Sequence, residues 1–263
     1  MMRALTLHHR SSSTRTIHHR TLTDTSTRPP HPRRNEPSLS RLGYSGVMEA
    51  WEHIEALAAR ISAEFPDAVF IGGVAVYYHA QHLGPAFAET SHDADFCLSI
   101  AGKAEMRDRY EMVRNERLGK DSLILEGEDL DVYVEHQNRL AVPYAAIRGY
   151  AQEIKGVRVA ALEHLLALKL DAAIDRQGTA KGDKDLRDLI RITALLASPR
   201  RELVEPYLSD ERLHVLRLIE RRAALYTDMG FNAHQASRVQ RTVSDNIAVI
   251  GAFRNAHEPI DGF

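Results

Sequence analysis

Cysteine is almost absent from this chain, and Cys97 is its single instance. That excludes an internal disulfide and any small disulfide-stapled fold, and it makes a reducing, cytoplasmic compartment the expectation. Long apolar runs are also missing. Nothing approaches the roughly 20 residues needed to span a bilayer, so no membrane helix is predicted. Charge of one sign is missing overall, with a net charge of -2 over 263 residues. Residues 1–47 are the exception, carrying eight Arg and no Lys against Asp24 and Glu36. They therefore hold an excess of six positive charges, and the remainder has a net charge of minus eight. A body of that sign offers little surface for nonspecific nucleic-acid binding, so an RNA partner requires a local basic patch.

The same 47 residues are rich in Ser, Thr, His and Pro and poor in large apolar groups, as in RSSSTRTIHHR and RPPHPRRNEPS. They cannot bury enough surface to fold and read as a disordered tail, a targeting peptide or upstream sequence outside the folded body. Met48, directly before the first helical pattern, favours the last. From there Trp51, Ile54, Leu57, Ala58, Ile61 and Phe65 recur at helical spacing, predicting an amphipathic helix over 48–65 that Pro66 ends.

DAVFIGGVAVYYHAQHL then reads as a strand over 68–71, a Gly72-Gly73 turn and a helix over 74–83. SHDADFCLSI alternates with period two, giving a half-buried strand over 93–100. Ala94, Phe96, Leu98 and Ile100 share one face; Asp93, Asp95, Cys97 and Ser99 share the other. Residues 103–117 read as a charged helix, and LDVYVEH as a second alternating strand with Asp131, Tyr133 and Glu135 on its polar face. Beyond about residue 160 the pattern is helical, with helices expected at 161–176, 183–197, 210–227 and 232–254, N-caps at Asp183 and Ser209, and C-caps at Gly178 and Gly230. The organisation predicted is an α/β core over 48–155 followed by a helical domain over 156–263.

Two carboxylates on one strand face repel each other unless a cation lies between them. Asp93 and Asp95 are hard oxygen donors of the kind that bridge Mg²⁺ ions, and Asp131 on a second strand could close a two-metal site; the plain alternative is a solvated strand face. Glycines between strand and helix allow close approach of a phosphate, although Gly-Gly is also an ordinary turn device. On a helical wheel for 161–176 the apolar stripe holds Lys169 at its centre with Arg176 beside it, and the polar side falls to His164, Asp171 and Asp175. Asp185 lies on the stripe of the next helix. Inward charges must pair or serve an ionic ligand, so Lys169 and Asp185 either bridge two helices or face a triphosphate.

From about Phe70 to Leu196, the glycine turn, SHDADF, LDVYV and LLALKLDAAIDRQGTAKGDKDLRDLI together resemble the nucleotidyltransferase superfamily of DNA polymerase β type, within it the AbiEii-type toxin family. The resemblance implies an α+β fold, a small mixed β-sheet nucleotidyltransferase core with a C-terminal helical domain. It implies two Mg²⁺ ions on Asp93, Asp95 and Asp131, with an NTP as substrate. Gly72, Gly73, Lys169 and Lys184 would meet the nucleotide, and Asp185, with Asp188 nearby, would complete the site. Transfer of a nucleoside monophosphate to a hydroxyl of RNA, tRNA or protein is the implied reaction, with an antitoxin protein as partner of a toxin. The alternatives are a small-molecule, antibiotic-like acceptor, or an inactive interaction protein on the same fold. Two positions depart from the pattern. Gly73 stands where many relatives have Ser, and Glu89 stands where many have an Arg four residues before the first acid.

Overall fold

The computed structural model describes residues 39–83, 87, 89, 93–116 and 119–255, without the side chains of 39–50, Asp93, Asp129 and Asn255. Helix α1 (Leu39–Glu64) leads into strand β1 (Val69–Ile71), helix α2 (Gly72–Ala80) and strand β2 (Asp93–Leu98). Helix α3 (Ile100–Arg109) follows, then β3 (Val113–Asn115), β4 (Lys120–Leu125) and β5 (Glu128–Val134). A short α4 (Tyr144–Gly149) precedes β6 (Gln152–Ile154) and β7 (Val157–Val159). The rest is helical: α5 (Leu162–Asp175), α6 (Ala180–Leu195), α7 (Arg201–Val204), α8 (Asp210–Arg221), α9 (Ala223–Asp228) and α10 (Ala233–Asn255). This is an α+β fold with a helical C-terminal part. No helix among the described residues is long and apolar enough to cross a membrane.

The strands make one mixed sheet in the order β3-β4-β5-β2-β1-β7-β6. At its centre β2 runs parallel to β5 and antiparallel to β1. Phe70, Phe96, Leu98, Val132 and Val159 are wholly buried, and the apolar character of the central strands is broken by the acids of β2 and β5. Each break is informative, because a polar residue there is either paired or functional. Trp51, Ile54, Ala58, Ile61 and Phe65 join the same core, and the Trp51 ring stacks on Tyr77 at 3.7 Å. Helix α5 packs on α2, α6 and α8, carrying the core from the sheet into the helical part.

Several sequence-based expectations change. Helix α1 begins at Leu39 instead of 48, and residues 1–38 lie outside the described residues. The strand expected over 93–100 stops at Leu98, because the Ser99 hydroxyl accepts from Gly102 N and caps α3; Ile100 is the first helical residue and half exposed. The helix expected over 103–117 ends at Arg109, and β3, β4, β6 and β7 were not anticipated. Three of these have only three residues, too short for a periodicity to register. Thr179, not Asp183, caps α6 by accepting from Gly182 N at 3.0 Å. The helix expected over 210–227 is broken at Arg222 into α8 and α9, while Ser209 caps α8 as expected. His164, read as polar-side, is fully buried, with the rings of Tyr150 and Tyr207 packed edge-on against it.

Candidate functional site

The sheet register brings Asp95 beside Asp131 on adjacent parallel strands and Asp95 beside Ile71 on the antiparallel side. One row further along, Asp93 pairs with Asp129. Neighbouring strands lie about 4.8 Å apart, so the Asp95 and Asp131 backbones hold two carboxylates within reach of a common cation. Asp131 is 5% exposed and Asp95 more so. The Asp93 side chain, expected from the sequence to bind metal, lies outside the described residues; its backbone stands on β2 opposite Asp129. Among the described residues no group of three His, Cys, Asp or Glu side chains gathers as a metal site. Asp95 and Asp131 supply two hard oxygen donors, which fits a divalent ion whose remaining ligands come from a substrate and water.

Gly72 has φ +65°, and a Cβ built on it would lie 2.3 Å from Asp95 Oδ2. The residue must therefore be glycine twice over: for its backbone angle and for the carboxylate pressed against it. Gly73 follows inside the first turn of α2, buried.

Around this pair the tertiary structure gathers cations. A cavity of about 80 Å³ is lined by Gly73, Asp95, Asp131, Asp185, Lys120, Lys169, Arg176, Lys181 and Lys184. Five cationic side chains thus face three carboxylates, an excess of two positive charges. The whole chain has six Lys, at 103, 120, 155, 169, 181 and 184, so four of them converge here. Lys120 was not singled out from the sequence, because β4 itself was not recognised. Its ammonium donates to Asp131 Oδ2, and both side chains are largely buried. The scarcity of Lys against Arg was the one available signal, since a compact point charge is the residue type that binds phosphate without a planar fork.

A second cavity of about 220 Å³ lies between the sheet and α5, lined among others by Gly72, Asp95, Tyr133, Arg139, Leu168, Lys169, Asp175 and Arg176. Asp95, Lys169 and Arg176 border both spaces, so the two are neighbouring parts of one cleft. Tyr133 supplies a ring on the same strand face as Asp131, two residues along.

Lys169 and Asp185 are buried, at 8% and 2% exposure, as the wheel required. The Lys169 ammonium lies 2.9 Å from Asp185 Oδ1 and 2.8 Å from Asp188 Oδ2, while Arg176 reaches the other Asp185 oxygen at 3.2 Å. Burial works against the Lys169 charge, but Asp188 and Asp185 outweigh it and hold its pKa above the ordinary lysine value. The Asp188 carboxyl is likewise disfavoured by burial yet held below its usual range by Lys169 and Arg191. The residues bridge α5 to α6, the first of the two alternatives left open by the sequence, and Lys169 and Asp185 also border the smaller cavity. Lys184 lines the smaller cavity near the start of α6.

Glu89 accepts from Arg187 at 2.9 and 2.6 Å and lies 2.9 Å from Arg191. An acid at this position ties the approach to β2 onto α6 and has no need to meet a phosphate. Burial opposes its ionisation, and the two guanidiniums overcome that and keep its pKa low.

No family model matches the chain, and no curated protein matches it. Among solved structures it is similar to an antigenic nucleotidyltransferase-like protein from Paracoccidioides brasiliensis, with 20% identity, 69% of this chain and 92% of that chain covered, and a TM-score of 0.42. It is similar to JHP933 from Helicobacter pylori at 16% identity, 85% and 95% coverage and a TM-score of 0.37. The antibiotic-resistance factor ANT(2'')-Ia is similar at 14% identity, 80% and 98% coverage and a TM-score of 0.34.

Proposed function

We propose that the chain is a metal-dependent nucleotidyltransferase that moves a nucleoside monophosphate from an NTP to an acceptor hydroxyl on RNA or protein. The observation that carries this reading is Asp95 in register with Asp131, against the left-handed Gly72, inside a lysine-rich cleft. Few arrangements other than metal-bound phosphate make sense of carboxylates and lysines in one small space. A structural ion-pair cluster needs no glycine cradle and no adjoining cavity.

Asp95 and Asp131, with Asp93 from the same strand, would hold Mg²⁺, which when bound neutralises charge on the transferring phosphoryl group. Lys181, Lys184 and Arg176 would take the β- and γ-phosphates, and Lys169, anchored by Asp185 and Asp188, would fix the floor of that site. In the transfer the acceptor oxygen bonds to Pα, the bond from Pα to its bridging oxygen breaks, and pyrophosphate leaves. The acceptor's proton passes to a carboxylate oxygen of Asp131. Tyr133 and the larger cavity suit the base or the acceptor.

The test is to incubate the protein with each labelled NTP, Mg²⁺ and total RNA, or with no other acceptor, and to ask which material becomes labelled. Mg²⁺ with the right NTP should also raise the melting temperature, because a ligand that binds only the folded state stabilises it. Asp95→Asn should fold yet lose both responses. A wild-type protein that neither labels nor responds to any of the four NTPs refutes the reading.

A further inference from the structure

We propose that Lys120 is a tethered cation that neutralises Asp131 in the nucleotide-free protein and moves onto the triphosphate when a metal-bound nucleotide arrives. The inference rests on the nucleotidyltransferase reading of the cleft. Strand β4 lies antiparallel to β5 with Ser122 opposite Asp131, so Lys120 stands one same-face step away, beside Tyr133. From there it reaches diagonally to the Asp131 carboxylate, with 15% of its own side chain and 8% of its partner's exposed. A carboxylate buried to that degree must keep a counter-charge, and Lys120 provides one where the metal would sit.

Two of the neighbouring cations are placed differently. Lys169 is held between Asp185 and Asp188, and Arg176 is held by Asp185, so their charges are matched by acids of the helical part. Lys120 is matched instead by an acid proposed to bind metal. A divalent ion entering by itself would have to displace an ammonium from Asp131 within a cavity lined by four other cationic side chains. An ion arriving with a triphosphate brings phosphate oxygens for that ammonium. Metal affinity and nucleotide affinity are therefore coupled through this one side chain, and free metal is kept off the carboxylates.

The experiment titrates Mn²⁺ alone, Mn²⁺ with ATP, and ATP with EDTA into the full chain, by calorimetry and by the Mn²⁺ resonance signal. Wild type should take Mn²⁺ alone weakly and Mn²⁺ with ATP far more tightly. Lys120→Met should bind Mn²⁺ alone about ten-fold more tightly and metal-free ATP about ten-fold more weakly, within the range of roughly 5- to 150-fold usual for coupled sites. Lys120→Arg should return both affinities toward wild type. If Lys120→Met fails to fold, Lys120→Gln keeps a hydrogen bond to Asp131 without the charge and should show the same two shifts. Unchanged Mn²⁺ affinity in the neutral variants, with wild type still binding Mn²⁺ and ATP together, overturns the role of Lys120 and leaves the enzymatic reading standing. Wild type that binds neither combination overturns both.

Discussion

Gly72→Ala places one methyl group where the structure has none to spare. The backbone there sits at φ +65°, and holding a non-glycine residue in that region costs about 1–2 kcal/mol. The new Cβ would also lie 2.3 Å from Asp95 Oδ2 and 3.0 Å from Asp95 Cβ, so the carboxylate has to rotate away from its rotamer, adding about 0.5–1.5 kcal/mol. Together the loss of stability should be about 1.5–3.5 kcal/mol, read from chemical denaturation. Gly156→Ala supplies the control, since Gly156 has a similar φ of +78° and nothing within 4 Å of its added Cβ. It should show the backbone penalty alone, with full Mg²⁺-dependent NTP binding. The proposed catalytic role separates the two more sharply: displacing a carboxylate proposed to bind metal by about 1 Å should cost on the order of 100-fold in rate. Equal effects of the two substitutions on stability and on nucleotide binding would refute the claim that Gly72 exists to make room for Asp95.

Lys169→Met keeps most of the side-chain volume but leaves Asp185 and Asp188 with only Arg176 and Arg191 among their observed partners; the expected loss is about 3–5 kcal/mol, measured in urea, and a change below 1 kcal/mol would show the bridge to be dispensable. Glu89→Gln should reduce stability without lowering the affinity for Mg²⁺ and NTP, because Glu89 faces Arg187 and Arg191; a fall in affinity at unchanged stability would place it in the nucleotide site instead. His164 is fully buried, with neither ring nitrogen hydrogen-bonded and the rings of Tyr150 and Tyr207 edge-on at 5.7 and 5.8 Å. Burial lowers its pKa, so the unfolded chain takes up the proton first as pH falls through about 6.5, and stability should drop there by up to about 1.4 kcal/mol per pH unit. His79, also lowered by burial, adds a second such slope. His164→Phe should remove its share of the slope and be at least as stable at pH 8, which paired denaturation curves at pH 8 and pH 5.5 would check.

Much of the candidate site was legible in the residues alone. The period-two run read over 93–100, which the structure ends at Leu98, and the alternation in LDVYV identify two strands that each carry acids on one face, because a strand's side-chain period is fixed by backbone geometry and needs no partner to be seen. The burial of Lys169 and Asp185 was likewise visible, since a helix's period of 3.6 residues sets which side chains share a face. What the sequence left open was every question of which surfaces meet. It could not say that β2 lies beside β5 with Asp95 level with Asp131, that Asp95 closes on Gly72, or that Lys120 reaches Asp131 from a strand too weakly patterned to recognise. His164 shows the same limit, as a residue on the polar side of one helix is buried under Tyr150 and Tyr207 from distant parts of the chain. Glu89 shows it from the opposite direction, because an acid that contradicts phosphate binding in sequence order finds its two arginines on α6. Local periodicity is written into the chain by covalent geometry, whereas the pairing of charges across elements is decided only when packing removes water and leaves each buried charge to find a partner.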